Sequence, residues 1–136
     1  MPAPYDPRLL LSMLGIEIPV PGMDEIPEGE PLVARLTVTH PLIAGTGFLW
    51  APVVIAMADA LCAFSVGSRW PEGAKSFTTV ESKANFVSSA REGEVVVGTV
   101  APLHAGRSTQ VWDATITNET TGRLMCSYRC TQLMLY

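Results

Sequence analysis

The chain has 136 residues, one domain's worth of sequence, with 48% of them hydrophobic and 16% charged. Those proportions exclude disorder over most of its length, and 11 glycines and 11 prolines scattered without a period exclude a collagen-like or low-complexity chain. A formal net charge of −4 lacks the positive footprint of a nucleic-acid binder, and so much apolar surface on so small a domain predicts an oligomer.

The first thirty residues differ from the rest. They hold six prolines and carry a charge of −5, against +1 for residues 31–136. Asp6-Pro7 opens a short helix over DPRLLLSML, which Gly15 ends. The following IEIPVPGMDEIPEGEP reads as extended chain and turns, because its prolines forbid regular backbone pairing. Residues 1–30 are therefore expected as an N-terminal arm on a domain spanning 31–136. The start, MPAPYDPRLL, lacks the basic and apolar regions of a signal peptide. No stretch approaches the roughly 18 consecutive apolar residues of a membrane span. Cys62, Cys126 and Cys130, with His40 and His104, have neither disulfide-framework nor zinc-ligand spacing. Together these features predict a reduced, cytoplasmic protein with no membrane partner and no metal.

From Pro31 the pattern becomes regular. Leu32 to Thr39 reads as a strand, and PLIAGTGF as a glycine-containing loop. Pro52 to Val66 carries one charge, Asp59, which is too apolar for a surface helix. Pro52 suits its first turn and Gly67 its C-terminal cap. A helix apolar on nearly every side must be wrapped by something. Four strands follow, FTTVESKANFV, EVVVGTVAPLH, TQVWDATITN and RLMCSYRCTQLMLY, separated by the hairpin-like turns REG, AGRS and ETTG. Alternation puts Val80, Ser82, Ala84 and Phe86 on one face, with Thr79, Glu81, Lys83 and Asn85 on the other. Trp112, Ala114 and Ile116 share a face, as do Leu124, Cys126, Tyr128 and Cys130, where the two cysteines read as packing residues. The fold class is α+β, with a curved antiparallel sheet wrapped around one long central apolar helix.

Asp59 is the informative residue. A lone carboxylate in an apolar helix is costly to bury ionised, so it finds hydrogen bonds or a partner, or gives up its charge. It is either a structural carboxylate or a base or nucleophile in a dry pocket. At the helix start, Trp50 and Ala51 offer no capping side chain and Pro52 has no amide hydrogen. The Ala51 amide can therefore face a ligand oxygen, aided by the helix dipole, or be satisfied by backbone or water. Five of the nine cations, Arg69, Lys75, Lys83, Arg91 and Arg107, lie between residues 69 and 107. Arg91 precedes a Glu-Gly turn and Arg107 precedes Ser108-Thr109, settings that suit phosphate binding or ordinary solvated turns.

The order of elements, the Met-Ala-Asp context of Asp59, the Asn-Phe and Ala-Arg-Glu-Gly segments (85–86, 90–93) and the run HAGRSTQVWDATITNETTGRLMCSYRCTQLML resemble the hot-dog-fold thioesterases. The resemblance covers residues 31–136 and points to the phenylacetate-pathway and 4-hydroxybenzoyl-CoA branch. Members carry His-Gly-Gly at the helix start and an acid nine residues after the His; here Trp50, Ala51 and Pro52 hold those three places and Asp59 is kept. The resemblance implies an acyl-CoA thioesterase with Asp59 as base or nucleophile and the Ala51 amide as oxyanion donor. Thr46 is the one polar side chain in the preceding loop, where members place an amide. Trp50 and Phe48 would line an acyl pocket that admits an aromatic or medium acyl chain. Arg91, Arg107, Ser108 and Thr109 would hold the nucleotide end of coenzyme A, which enters as part of the substrate, with no cofactor implied. Homodimers or dimers of dimers would place Asp59 opposite the facing subunit's helix. Loss of the His-Gly-Gly motif opens two other readings, a catalytically silent acyl-CoA binder and a structural assembly domain.

Overall fold

The computed structural model describes residues 6–19 and 31–136; the rest of the segment read as extended arm, residues 20–30, lies outside the described residues. Asp6 accepts the Arg8 amide, and helix α1 runs Leu9–Leu14 to Gly15, whose φ of 75° is the left-handed geometry that a glycine C-cap supplies. The chain then forms strand β1 (Val33–Thr37), helix α2 (Ala51–Ser65), and strands β2 (Ser76–Phe86), β3 (Val95–Ala105), β4 (Thr109–Asn118) and β5 (Arg123–Leu135). All five strands are antiparallel to their neighbours in one sheet of order β1-β3-β4-β5-β2. The sheet curves around α2 in the hot-dog arrangement that the resemblance implies. Met57, Ala58, Leu61 and Cys62 are fully buried, with Trp112, Ala114 and Ile116 on the same core. Removing each large side chain of this layer from water contributes about 1.5–3 kcal/mol.

One glycine sets how closely the helix approaches. A Cβ on Gly98 of β3 would lie 2.6 Å from Leu61 Cδ1 and 2.9 Å from Ile116 Cδ1. The missing side chain lets α2 settle onto the middle of the sheet.

Four local expectations are corrected. AGRS and ETTG close the β3–β4 and β4–β5 hairpins, but REG closes none, because β2 and β3 are not neighbours. It belongs to a connection that crosses the end of the sheet, pinned where the Leu49 amide donates to Ala90 O and the Gly93 amide to Val38 O. Gly67 does not cap α2 in a left-handed conformation; the helix tightens into a 3-10 turn over Val66–Arg69. In β2 the register shifts at Val80, so Thr79 lies on the face of Ser82 and donates to the buried Gln132 at 2.8 Å. A second shift at Met125 turns Leu124 to the outer face, opposite Thr117, while Cys126, Tyr128 and Cys130 stay buried.

The two sheet edges differ. Glu17 and Arg35 exchange backbone hydrogen bonds at 2.9 Å each way, so the arm is bridged to the middle of β1. Strand β2 is paired on one side only, and Val80, Phe86 and Val87 at its surface are 56%, 45% and 63% exposed.

Candidate active site

The loop before α2 is a small hairpin. Ile43 and Leu49 bridge, the Ala44 amide donates to Phe48 O, and Thr46 stands exposed at the tip beside Gly47. The Trp50 amide donates to Leu42 O at 3.0 Å, which fixes where the helix begins. Trp50 itself has φ −57° and ψ 130°, makes no side-chain cap, and leaves its indole half exposed. The Val53 amide donates to Trp50 O, and Pro52 has no N–H to place. Ala51 is exposed, and its amide donates to no protein group among the described residues. A free donor at the positive end of a 15-residue apolar helix is a ready site for a developing oxyanion.

Asp59 lies eight residues further along, about 12 Å at 1.5 Å per residue. It is half-buried, and its Oδ1 accepts the Tyr128 hydroxyl at 2.8 Å. Tyr128 is 2% exposed, and burial, followed by the Asp59 carboxylate, pushes its phenol above the ordinary range, so it stays a donor. Beside Asp59 a cavity of about 320 Å³ opens. Ala56, Ala60 and Ala63 form its floor, Phe64 and Phe77 its sides, and α1 with Pro7 its roof. Small residues on that helix face are what leave the room. Among the described residues Asp59 is the one charged side chain on its walls. Cys62 and Cys130 lie nearby in the core; hydrogen bonding with Cys130 and burial raise the Cys62 thiol, which keeps it protonated and unsuited to nucleophilic attack.

The two arginines expected to hold coenzyme A fall in different places. The Arg91 guanidinium lies over the Phe48 ring, 4.7 Å from its centre, near the start of α2. Arg107 lies over Tyr136 at 5.1 Å and shares an open groove of about 600 Å³ with Arg69 and Gly106. Ser108 and Thr109 follow at the root of β4, where Ser108 O accepts the Met134 amide. Arg91 and Arg107 flank opposite ends of β3, whose 11 residues span roughly 33 Å. One protomer therefore does not bring them to one phosphate group. Phe48, Trp50, Ala51 and Arg91 share one end of the molecule, with Asp59 two turns along α2. His40 pairs with Glu92, the neighbour of Arg91, at 3.2 Å on the surface, and His104 is exposed. Tyr128 is the site residue that sequence reasoning missed.

Comparison with known proteins agrees with this architecture. The sequence profile of the thioesterase superfamily matches residues 46–125. The chain is 33% identical over 123 residues to a 1,4-dihydroxy-2-naphthoyl-CoA hydrolase of Listeria monocytogenes, covering 90% of this chain and 92% of that protein. It is 33% identical over 127 residues to the Escherichia coli protein of the same name, covering 93% and 86%. The solved structure of a Haemophilus influenzae thioesterase superposes with a TM-score of 0.77 at 27% identity, over 93% of this chain and 82% of that one. By profile, by identity and by fold, this chain belongs to the thioesterase superfamily.

Proposed function

We propose that the protein hydrolyses an acyl-CoA thioester, with Asp59 as the reacting carboxylate and the Ala51 amide as the oxyanion donor. The observation that carries this reading is the pairing of a half-buried carboxylate with an apolar cavity at its side. The acyl group fills the cavity, and Asp59 Oδ2 takes a proton from water as the water oxygen bonds to the carbonyl carbon. The carbonyl oxygen, now negative, accepts the Ala51 N–H. Collapse of the tetrahedral species breaks the C–S bond, and the thiolate leaves and takes up the proton. If Asp59 attacks directly, the thiolate leaves, an acyl anhydride forms and water then cleaves it; under single turnover in oxygen-18 water, unlabelled enzyme oxygen in the acid marks this route, with water attacking the Asp59 carbonyl carbon.

Within one chain, about 12 Å of helix separates the two catalytic groups, too far to serve one carbonyl. Two copies with their α2 helices antiparallel would bring Asp59 of each to Ala51 of the other. The bare β2 edge supports such pairing. The same arrangement would carry Arg107, Ser108 and Thr109 of one protomer toward Arg91 of the other, which reconciles both cations with one coenzyme A. Thr46 offers the thioester a second donor from the loop tip, and Phe48 and Trp50 line the approach.

Asp59→Asn keeps the shape and removes the basic oxygen. In a thiol-release assay over a panel of acyl-CoAs it is expected to lower kcat at least ~100-fold while acyl-CoA binding persists. Parental turnover by this variant would refute the role of Asp59. Trp50, which donates one hydrogen bond but cannot take a proton, favours a second reading, a silent acyl-CoA binder. Binding without turnover by the parent protein would establish it.

A further inference from the structure

We propose that Tyr128 is a positioning residue of this site, holding Asp59 Oδ1 so that Oδ2 is the oxygen that faces the substrate. The proposal rests on Asp59 being the reacting carboxylate. Tyr128 is placed rigidly: it sits near the middle of β5, with register partners Ala114 on β4 and Ala84 on β2. Two alanines beside it leave space for a phenol ring to lie across the sheet and reach the helix. The ring is buried, and a buried hydroxyl must be partnered; its partner is Asp59, 69 residues earlier in the chain, at 2.8 Å.

The consequence for the carboxylate follows from geometry. An aspartate side chain turns easily about its last bond, and in a helix it also competes for nearby backbone donors. A hydrogen bond from a fixed phenol selects one orientation. No other hydrogen bond to Asp59 is present among the described residues, and none of their buried side-chain oxygens or nitrogens lacks a partner. Oδ2 is therefore open, and the residue that carries it lines the apolar cavity. Tyr128 is not itself among the residues that line the cavity; it touches the wall through Asp59 alone. It acts through Asp59, by removing orientations in which the reacting oxygen points elsewhere. Burial and the neighbouring carboxylate keep the phenol protonated, so the donor is present across the neutral range.

The test is steady-state hydrolysis of the CoA thioester that the parent turns over fastest, with four variants, one of them Asp59→Asn as the reference background. Tyr128→Phe keeps the ring between its alanine neighbours and removes the donor. It is expected to fold with an unchanged circular dichroism spectrum, to lower kcat ~10-fold or more, and to leave KM within about twofold. Tyr128→Leu, lacking ring and donor, is expected to be at least as slow. In Asp59→Asn/Tyr128→Phe the second change is expected to add no further loss, because the two residues act as one unit. Parental kcat in Tyr128→Phe with loss only in Tyr128→Leu would reduce Tyr128 to packing and overturn the proposal. An undiminished effect of Tyr128→Phe in the Asp59→Asn background would overturn it too. If Asp59→Asn alone turns over at the parental rate, the functional reading fails first, and that result is distinct from either.

Discussion

In the proposed reaction Ala51 contributes a single N–H, and it can be removed with little disturbance. Trp50 already has φ −57° and ψ 130°, the extended geometry required of a residue before proline. Ala51→Pro deletes the amide hydrogen at a first-turn position where proline is well tolerated. Thiol release is expected to fall about 100-fold with stability kept, the scale of losing one oxyanion donor. A rate within twofold of the parent would show that the oxyanion is held elsewhere. Asp59 was legible in the sequence because a single carboxylate interrupts an otherwise apolar helix. Tyr128 was not, since its alternation with Cys126 and Cys130 marks it as core, which it is. That its hydroxyl reaches across to the helix depends on the curvature of the sheet and on the alanines beside it.

The helix and sheet are matched element to element at Gly98. Gly98→Val would drive a branched side chain into Leu61 and Ile116, both fully buried. We expect a loss of about 1–3 kcal/mol, read as a lower urea midpoint at unchanged m-value, and no loss would mean that α2 can lift from β3 freely. Strand positions were legible from alternation, and β4 runs over Thr109–Asn118 as expected. The shifts at Val80 and Met125 were not, because one inserted residue leaves composition unchanged while inverting which side chains face in. The turn at 91–93 misled for a related reason. A Glu-Gly pair between strands reverses the chain, but strand order is settled by long-range pairing that no local signal contains.

At the scale of the whole molecule, the distance between Asp59 and the start of its own helix makes the proposed site a property of two chains. Asp59→Asn and Ala51→Pro are each expected to keep only about 1% of the parental rate or less. When the two are co-expressed with different tags and the mixed pair is purified, one of its two sites receives Ala51 from the Asp59→Asn chain and Asp59 from the Ala51→Pro chain. Such a pair should recover about half the parental rate per particle, because its other site carries both defects. No recovery would place both groups in one chain's site and refute the shared arrangement.

The backbone exchange between Glu17 and Arg35 has a bearing on stoichiometry. A sheet with one open border can add a copy there about a two-fold axis, and growth then stops, because the new particle has no border left. Remove the arm and each particle has two more. Addition at β1 would then have nothing to terminate it, and a closed unit would become a monomer of a polymer. Deleting residues 1–19 should therefore turn a single light-scattering species into a concentration-dependent series of larger ones. A sharp single species after the deletion would mean that β1 has other protection. On this view the short acidic arm works as a chain terminator, setting how many copies assemble without touching the surface through which they do.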